Sequence, residues 1–231
     1  MSMRSAIYFA PPPGSALEAF GCGWLGRALD GTPLAQPSVP GVDPARLLEI
    51  TRSPRHYGFH GTLKAPFALA DGKSPDALDE AVGAFTRSRA AFDIALKVGS
   101  LGGFIALVPP AASPALDALA ADCVEAFDGF RAPLDEAEIA RRQASGLTPR
   151  QDRHLLRYGY PYVLDDYRFH MTLTERLQAP ERDRVLAILA ERAAHICAAP
   201  LRVDAIAIFE QPSREVPFTL RRRFAFGREE A

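Results

Sequence analysis

One seven-residue phrase occurs twice in this chain and constrains its fold more than any other feature. Residues 57–63 are Tyr-Gly-Phe-His-Gly-Thr-Leu, and residues 167–173 are Tyr-Arg-Phe-His-Met-Thr-Leu. The chain has only eight threonines and five histidines in 231 residues, so chance is a weak explanation for two His-x-Thr pairs in matching contexts. Internal repetition at this scale indicates two related structural units.

The segments that begin with the two phrases have the same predicted order: a phrase strand, a helix and a pair of strands. The two units cover residues 57–109 and 167–226, and a charged segment of helical pattern at 131–166 is inserted between them. This order predicts an α+β protein with one bilobal domain over residues 1–231. Each unit is expected to pack helices on one face of an antiparallel sheet and to leave the other face free.

Composition excludes several classes of protein. The 27 basic and 28 acidic residues give a formal net charge of −1, which argues against long nucleic acid as a partner. No run of 18 apolar residues and no signal peptide is present, so we expect a cytoplasmic protein with no membrane partner. Three cysteines without a C-x-x-C pair predict neither a disulfide framework nor a cysteine zinc site.

The chemistry of the phrase follows from strand alternation. His60 and Thr62 are predicted to share one face of their strand, and His170 and Thr172 one face of theirs. Two imidazoles can hold one neutral ring as general base and one protonated ring as general acid, and hydroxyls can donate to phosphate oxygens. Cleavage of a phosphodiester needs that combination, so we predict that these four residues are catalytic.

Other kinds of site fit the sequence less well. A metal centre would lack ligands, because neither phrase contains a carboxylate or a thiol, so we expect no metal and no cofactor. The motifs G-x-S-x-G and G-x-x-x-x-G-K-S/T are absent. A binding module that holds a phosphorylated ligand in the same cavity without turning it over stays open as the alternative to an enzyme.

The paired motifs His60-Gly-Thr62-Leu and His170-Met-Thr172-Leu resemble those of the 2H phosphoesterase superfamily, which is named for two H-x-T/S motifs. The segments AIYFAPPPGS, FHGTLKAPF and GYPYV resemble those of a branch of phosphonate-metabolism proteins of unknown function. The resemblance implies a bilobal, pseudo-two-fold α+β fold, in which two antiparallel sheets face a central cleft and helices cover the outer faces. It also implies metal-independent opening or closing of a phosphodiester, with a small cyclic ribose phosphate or nucleotide as substrate.

Four more residues are candidates for binding that substrate. Lys64 follows Thr62 by two positions and would share its face if the strand stays regular, and Thr174 is the neutral counterpart in the second copy. Tyr8 points either into the cavity or into the core. Arg168 precedes His170 by two positions and either contacts an anionic substrate or extends into solvent.

The insertion at 131–166 is basic and aromatic, which allows two interpretations. We favour a solvated helical hairpin with a packed Tyr-Pro turn over a flap that covers an anionic ligand. The basic residues of the last strands, including Arg214, are likewise expected to be solvated. The arginines and tyrosines of the insertion are Arg141, Arg142, Arg150, Arg153, Tyr158, Tyr160 and Tyr162.

Overall fold

The computed structural model describes residues 3–227 and has an α+β architecture. Its strands are β1 (Arg4–Phe9), β2 (Gly61–Ala68), β3 (Phe92–Ile94), β4 (Lys97–Leu101), β5 (Phe104–Val108), β6 (Met171–Thr172), β7 (Leu201–Val203), β8 (Ala205–Gln211) and β9 (Thr219–Ala225). Its α-helices are α1 (Ala16–Leu25), α2 (Pro44–Ile50), α3 (Arg52–Tyr57), α4 (Pro75–Thr86), α5 (Pro114–Ala126), α6 (Glu136–Gln143), α7 (Pro149–Tyr158), α8 (Glu181–Arg192) and α9 (Ala194–Cys197). In this part of the chain no helix is long and apolar enough to cross a membrane.

The sheets are antiparallel, which confirms the predicted class. Seven strands lie in the order β4-β5-β6-β2-β1-β8-β9, and β3 pairs with β7 in a separate two-stranded sheet. The two halves of the large sheet meet where Gly61 of β2 pairs with Met171 of β6. They therefore form one continuous sheet, with the two phrase strands at its centre, where two separate sheets were expected.

The two sequence units exchange strands in space. The phrase strand of the second unit, β6, pairs with β5 of the first unit. The phrase strand of the first unit, β2, pairs with β1, which in turn pairs with β8 of the second unit. Each half of the sheet thus contains segments from both units, and this exchange brings the two His-x-Thr segments side by side.

The apolar positions of the phrase anchor its strands in the core. Phe59 and Leu63 of the first copy, and Phe169 and Leu173 of the second, are 5% exposed or less. Burial of each such side chain stabilises the fold by about 1.5 to 3 kcal/mol. The indole Nε1–H of Trp24 in α1 donates to the carbonyl of Leu173 at 2.9 Å, which ties a helix to the second phrase.

An irregularity in β2 changes which way its side chains point. Opposite β1, Tyr8 faces Thr62 while Ile7 faces Lys64, so Leu63 is an extra residue on β2. Such a bulge shifts the alternation by one position and is common beside functional sites. Lys64, directly after Leu63, therefore points to the opposite face from the one that regular alternation would give it, and a second register shift follows opposite Ser5 and Ile7.

Candidate active site

His60 is fixed at both ring nitrogens. Its Nδ1 lies 2.8 Å from the carbonyl oxygen of Gly58, and its Nε2 lies 3.2 Å from Oγ1 of Thr62. Because a carbonyl oxygen only accepts hydrogen bonds, the neutral ring carries its proton on Nδ1. Gly58 has a φ of 79°, a conformation that suits glycine and aims this carbonyl at the ring. The lone pair of Nε2 is thereby left on the Thr62 side.

The second copy repeats this arrangement. Nδ1 of His170 lies 2.7 Å from the carbonyl oxygen of Arg168, again two residues earlier in the chain. The ring of Phe104 lies beside His170, with the centroids 5.4 Å apart. The backbone thus selects the same tautomer in both histidines and leaves both Nε2 atoms without a backbone partner.

Burial keeps both rings neutral. It lowers the pKa of His60 to about 4, helped by the nearby His170 and opposed by the hydrogen bond to the Gly58 carbonyl. It also lowers the pKa of His170, against the opposing hydrogen bond to the Arg168 carbonyl. At pH 7 the free protein therefore presents two uncharged imidazoles whose charges would repel each other if both were protonated.

Tyr8 packs directly on His60. The two rings are stacked with centroids 3.7 Å apart and an interplanar angle of 20°. Tyr8 is 1% exposed, and burial raises the pKa of its phenol well above the usual range, so it stays protonated. The sequence allowed Tyr8 to point either into the cavity or into the core. In the structure its side chain is buried and also lines the cavity.

One cavity of about 780 Å³ gathers most of the residues that the sequence singled out. Thr174 is among them, but its hydroxyl is already used within the fold. It accepts from the backbone N–H of Ile105 at 3.0 Å and donates to the carbonyl of Glu175 at 2.8 Å. The predicted residues that line this cavity are Tyr8, His60, Thr62, His170, Thr172 and Thr174.

Lys64 is a correction to the sequence prediction. The bulge turns it away from Thr62, and the side chain is buried, with Nζ donating to the carbonyl of Val124 at 2.9 Å and lying 3.4 Å from Oδ1 of Asp128. Burial lowers its pKa to about 8, opposed by Asp128. Lys64 holds the end of α5 against the sheet and does not line the histidine cavity.

Arg168 contributes its carbonyl to His170, while its exposed side chain lines a neighbouring cavity of about 460 Å³. That second cavity shares Thr62 and His170 with the first. The side chain of Arg168 therefore lies next to the site without lining the main cavity. Its role in binding stays a prediction.

Several residues of the cavity were missed by the sequence prediction. The insertion at 131–166 contributes Arg141, Arg142 and Tyr160. The side chain of Arg141 is 64% exposed, as expected for a solvated hairpin, whereas Arg142 and Tyr160 are partly buried. The two interpretations of the insertion stay predictions. The tyrosine of the first phrase ends α3 and faces the cavity, whereas Tyr167 donates from its hydroxyl to the carbonyl of Thr62 at 2.9 Å. The added residues are Arg4, Tyr57, Arg141, Arg142, Tyr160, Arg176 and Arg214.

Metal ligands do not cluster in this part of the molecule. Within residues 3–227, no group of three or more His, Cys, Asp or Glu side chains could hold a metal ion. The chemistry available in the cavity is that of imidazoles, hydroxyls and guanidinium groups, together with the carboxylate of Glu175, which accepts from the backbone N–H of Ser53 at 3.0 Å.

Residues 62–219 match the family described as "Protein of unknown function (DUF1045)". The chain belongs to this family. The match begins at the threonine of the first His-x-Thr pair and includes the whole second pair.

Two curated relatives of this DUF1045 chain are named ribose 1,5-bisphosphate phosphokinase PhnN. The protein from Janthinobacterium sp. (strain Marseille) is 38% identical over 230 residues, which cover 97% of this chain and 51% of the relative. That from Laribacter hongkongensis (strain HLHK9) is 36% identical over 221 residues, which cover 94% and 50%. The chain spans about half the length of these relatives. Among solved structures, E. coli LigT in apo form is 13% identical over 99% of each chain, with a TM-score of 0.45.

Proposed function

We propose that this DUF1045 chain is a metal-independent phosphodiesterase that opens a small cyclic phosphate by paired histidine acid and base catalysis. The observation that carries the proposal is the duplicated geometry of His60 and His170. Each ring donates from Nδ1 to the carbonyl two residues earlier, and both rings line one cavity with the threonine of their own motif. Two separately encoded segments with the same hydrogen bonds favour a shared task on one phosphoryl group.

In the proposed reaction, Nε2 of one histidine removes a proton from water as the water oxygen attacks phosphorus. The bond from phosphorus to one ester oxygen of the ring breaks, and the other histidine, protonated on Nε2, donates its proton to that leaving oxygen. The product is a phosphomonoester with one free hydroxyl. The histidines end with their protonation states exchanged, and solvent restores them.

We assign the base to His60 and the acid to His170. His60 packs under Tyr8 and has the pKa of about 4, so it holds the neutral form most strongly. A bound phosphodiester carries negative charge, which favours protonation of a neighbouring imidazole. His170, whose ring has no such stack with Tyr8, is the better candidate to take that proton.

The threonine hydroxyls donate hydrogen bonds to the nonbridging oxygens of the phosphate. Oγ1 of Thr62 lies next to Nε2 of His60, so a phosphate held by this imidazole also reaches this hydroxyl. Thr172 has the matching position in the second motif. Hydroxyls that are preorganised around the phosphate stabilise the charge that develops in the transition state.

A cyclic phosphate of ribose, free or in a nucleotide, is the proposed substrate class. The PhnN relatives are named for a ribose 1,5-bisphosphate phosphokinase, and that name favours a ribose phosphate in phosphonate metabolism for this chain as well. The chain itself lacks the G-x-x-x-x-G-K-S/T loop of many kinases. We therefore propose a phosphodiester step, distinct from the kinase step that the relatives are named for.

The test is turnover of cyclic phosphates with a chelator present. Purified protein is incubated with 2′,3′-cyclic nucleotides and ribose 1,2-cyclic phosphate, and products are followed by phosphorus NMR. We expect ring opening that falls about 10² to 10⁴-fold in His60→Ala and in His170→Ala. His195→Ala is the matched control, because His195 is exposed on α9 outside the cavity.

Wild-type rates in both active-site variants would refute the two-histidine mechanism. Loss of activity on adding the chelator would refute its metal independence. Binding of a cyclic phosphate without any turnover would favour the binding module.

A further inference from the structure

We infer that three arginines of the cavity, Arg4, Arg142 and Arg214, form a second anion subsite that binds a phosphomonoester carried by the same substrate. We call these three residues the arginine wall. The inference rests on the proposed function for the first subsite and deepens it. It makes the substrate a small sugar with two phosphates, one in a diester at the histidines and one terminal.

Arg4 is held in place without a carboxylate partner. Its Nε donates to Oε1 of Gln211 at 2.8 Å, and Nη2 donates to the same oxygen. Gln211 is fully buried and is itself fixed, since its Nε2 donates to the carbonyl of Val216 at 2.7 Å. A guanidinium has five N–H donors, so Arg4 keeps donors free for a ligand. Within residues 3–227 it forms no ion pair.

The wall carries more positive than negative charge. Oε1 of Glu138 lies 3.0 Å from Nη2 of Arg142 and 3.3 Å from Nη2 of Arg214, so these two guanidinium groups share one carboxylate. Arg141 also reaches Glu138, at 3.4 Å, while Glu215 accepts from Ser213 at 2.7 Å. An anion bound at the wall would relieve the repulsion among these arginines.

Arg4 itself experiences this repulsion. Burial lowers the pKa of its guanidinium, and the nearby Arg214 lowers it further, opposed by Tyr57, Tyr8 and Glu138. A half-buried guanidinium with a neighbouring cation is stabilised by a dianion that contacts both, and planar guanidinium groups suit phosphate oxygens.

The wall is set apart from the histidines by two aromatic rings. Cζ of Arg4 lies 5.3 Å from the ring centroid of Phe218, which lies 6.2 Å from that of Tyr8, and Tyr8 stacks on His60. A phosphate at the wall is therefore a different group from the one between the histidines, separated from it by a spacer such as a pentose ring.

The size of the cavity agrees with such a ligand. About 780 Å³ is in the range of cavities that hold a whole small molecule, well beyond the space that one phosphoryl group fills. Arg4 and Tyr8 also point to the same side of β1, because they are four positions apart along the strand. One strand thus reaches from the wall to the base of the histidine site.

Calorimetry with D-ribose 5-phosphate tests the subsite independently of turnover. We expect wild-type protein to bind D-ribose 5-phosphate at least tenfold more tightly than D-ribose. Arg4→Gln and Arg214→Gln should each weaken the binding of the phosphate about tenfold or more, since each removes a charged hydrogen bond. Arg222→Gln is the matched control, because this arginine is largely exposed beside Asp79.

The inference is overturned if both wall variants bind D-ribose 5-phosphate like the wild type. It is also overturned if His170→Ala abolishes binding while the wall variants do not, since the phosphate would then occupy the histidine subsite. A different outcome would contradict the proposed function alone. In that case no cyclic phosphate is opened, yet D-ribose 5-phosphate still binds through the arginine wall.

A kinetic comparison adds a second readout where turnover is found. Ribose 1,2-cyclic phosphate is compared with and without a 5-phosphate. We expect the 5-phosphate to raise kcat/KM at least tenfold in wild type, and Arg4→Gln to remove most of that preference. An unchanged preference in Arg4→Gln would overturn the inference and leave the two-histidine mechanism standing.

Discussion

Replacement of Gly61 by alanine should damage both stability and activity through a single added methyl group. A Cβ at Gly61 would lie 2.7 Å from Cζ of Phe169 and closer still to Cε2. The clash cannot be relieved cheaply, because Phe169 is 5% exposed and packs edge-on against Phe9 with centroids 6.0 Å apart. Phe169 directly precedes His170, so a shift of its ring is expected to move the second His-x-Thr motif.

The expected cost follows from overpacking of a filled site. Forcing extra volume into a packed core costs about 1 to 3 kcal/mol of unfolding free energy. A displacement of about 1 Å at His170 would lower kcat about 10²-fold, because the reacting atoms must stay aligned. Urea unfolding and turnover of a cyclic phosphate measure the two effects in Gly61→Ala.

Two further variants separate this clash from general effects of alanine. Gly23→Ala is the control, since a Cβ there meets nothing within 4 Å, and alanine within helix α1 should stabilise it by about 0.5 to 1 kcal/mol. Phe169→Leu in the Gly61→Ala background should recover part of both losses. If Gly61→Ala and Phe169→Leu are strictly additive in unfolding free energy, Phe169 is not the obstacle and the reasoning is refuted.

Three more outcomes follow from the structure. Lys64→Met should cost about 1 to 3 kcal/mol of unfolding free energy, because it leaves the carbonyl of Val124 without its hydrogen bond. The kcat/KM should change less than twofold. A large loss of kcat/KM with normal stability would show that Lys64 belongs to the site. The kcat/KM of the free protein should peak below pH 6.5. His60 must be neutral, which requires a pH above its pKa of about 4, and His170 must be protonated, which requires a pH below its own lowered pKa. A peak above pH 8 in a pH–rate series contradicts this. Tyr8→Phe should keep kcat within about threefold because the ring stack is retained, whereas Tyr8→Leu should lower kcat at least tenfold; equal rates for the two would show that the stack is unimportant.

The repeated phrase predicts the central strands because its pattern is local. Alternation of Phe and Leu with His and Thr sets one buried face and one open face, and burial of Phe59, Leu63, Phe169 and Leu173 confirms it. The exchange of strands between the two units could not be predicted, since either phrase strand fits equally well beside either hairpin. Only tertiary packing selects the arrangement in which β6 joins β5.

Lys64 shows where the alternation rule stops. The rule assumes one residue of β2 for each residue of β1, and the extra residue at Leu63 breaks that assumption. A bulge of this kind has no composition signal here, because Leu63 fits the core face in either register.

The arginine wall was missed for a different reason. Its members come from β1, from α6 and from the segment after β8, and they converge only when the chain has folded. One of them was within reach of the sequence, because Arg4 is four residues before Tyr8 and so shares its face of the strand. The other two lie in segments that their charge alone marked as solvated.

NMR of the histidine side chains tests the central claim most directly. With ¹⁵N-labelled histidine at pH 7, His60 and His170 should both be neutral in the free protein and carry their proton on Nδ1. Saturating inorganic phosphate should then protonate one of them, assigned through the His60→Ala and His170→Ala spectra, at Nε2. A ring that carries its proton on Nε2 alone in the free protein, or two rings that do not respond to phosphate, would contradict the account.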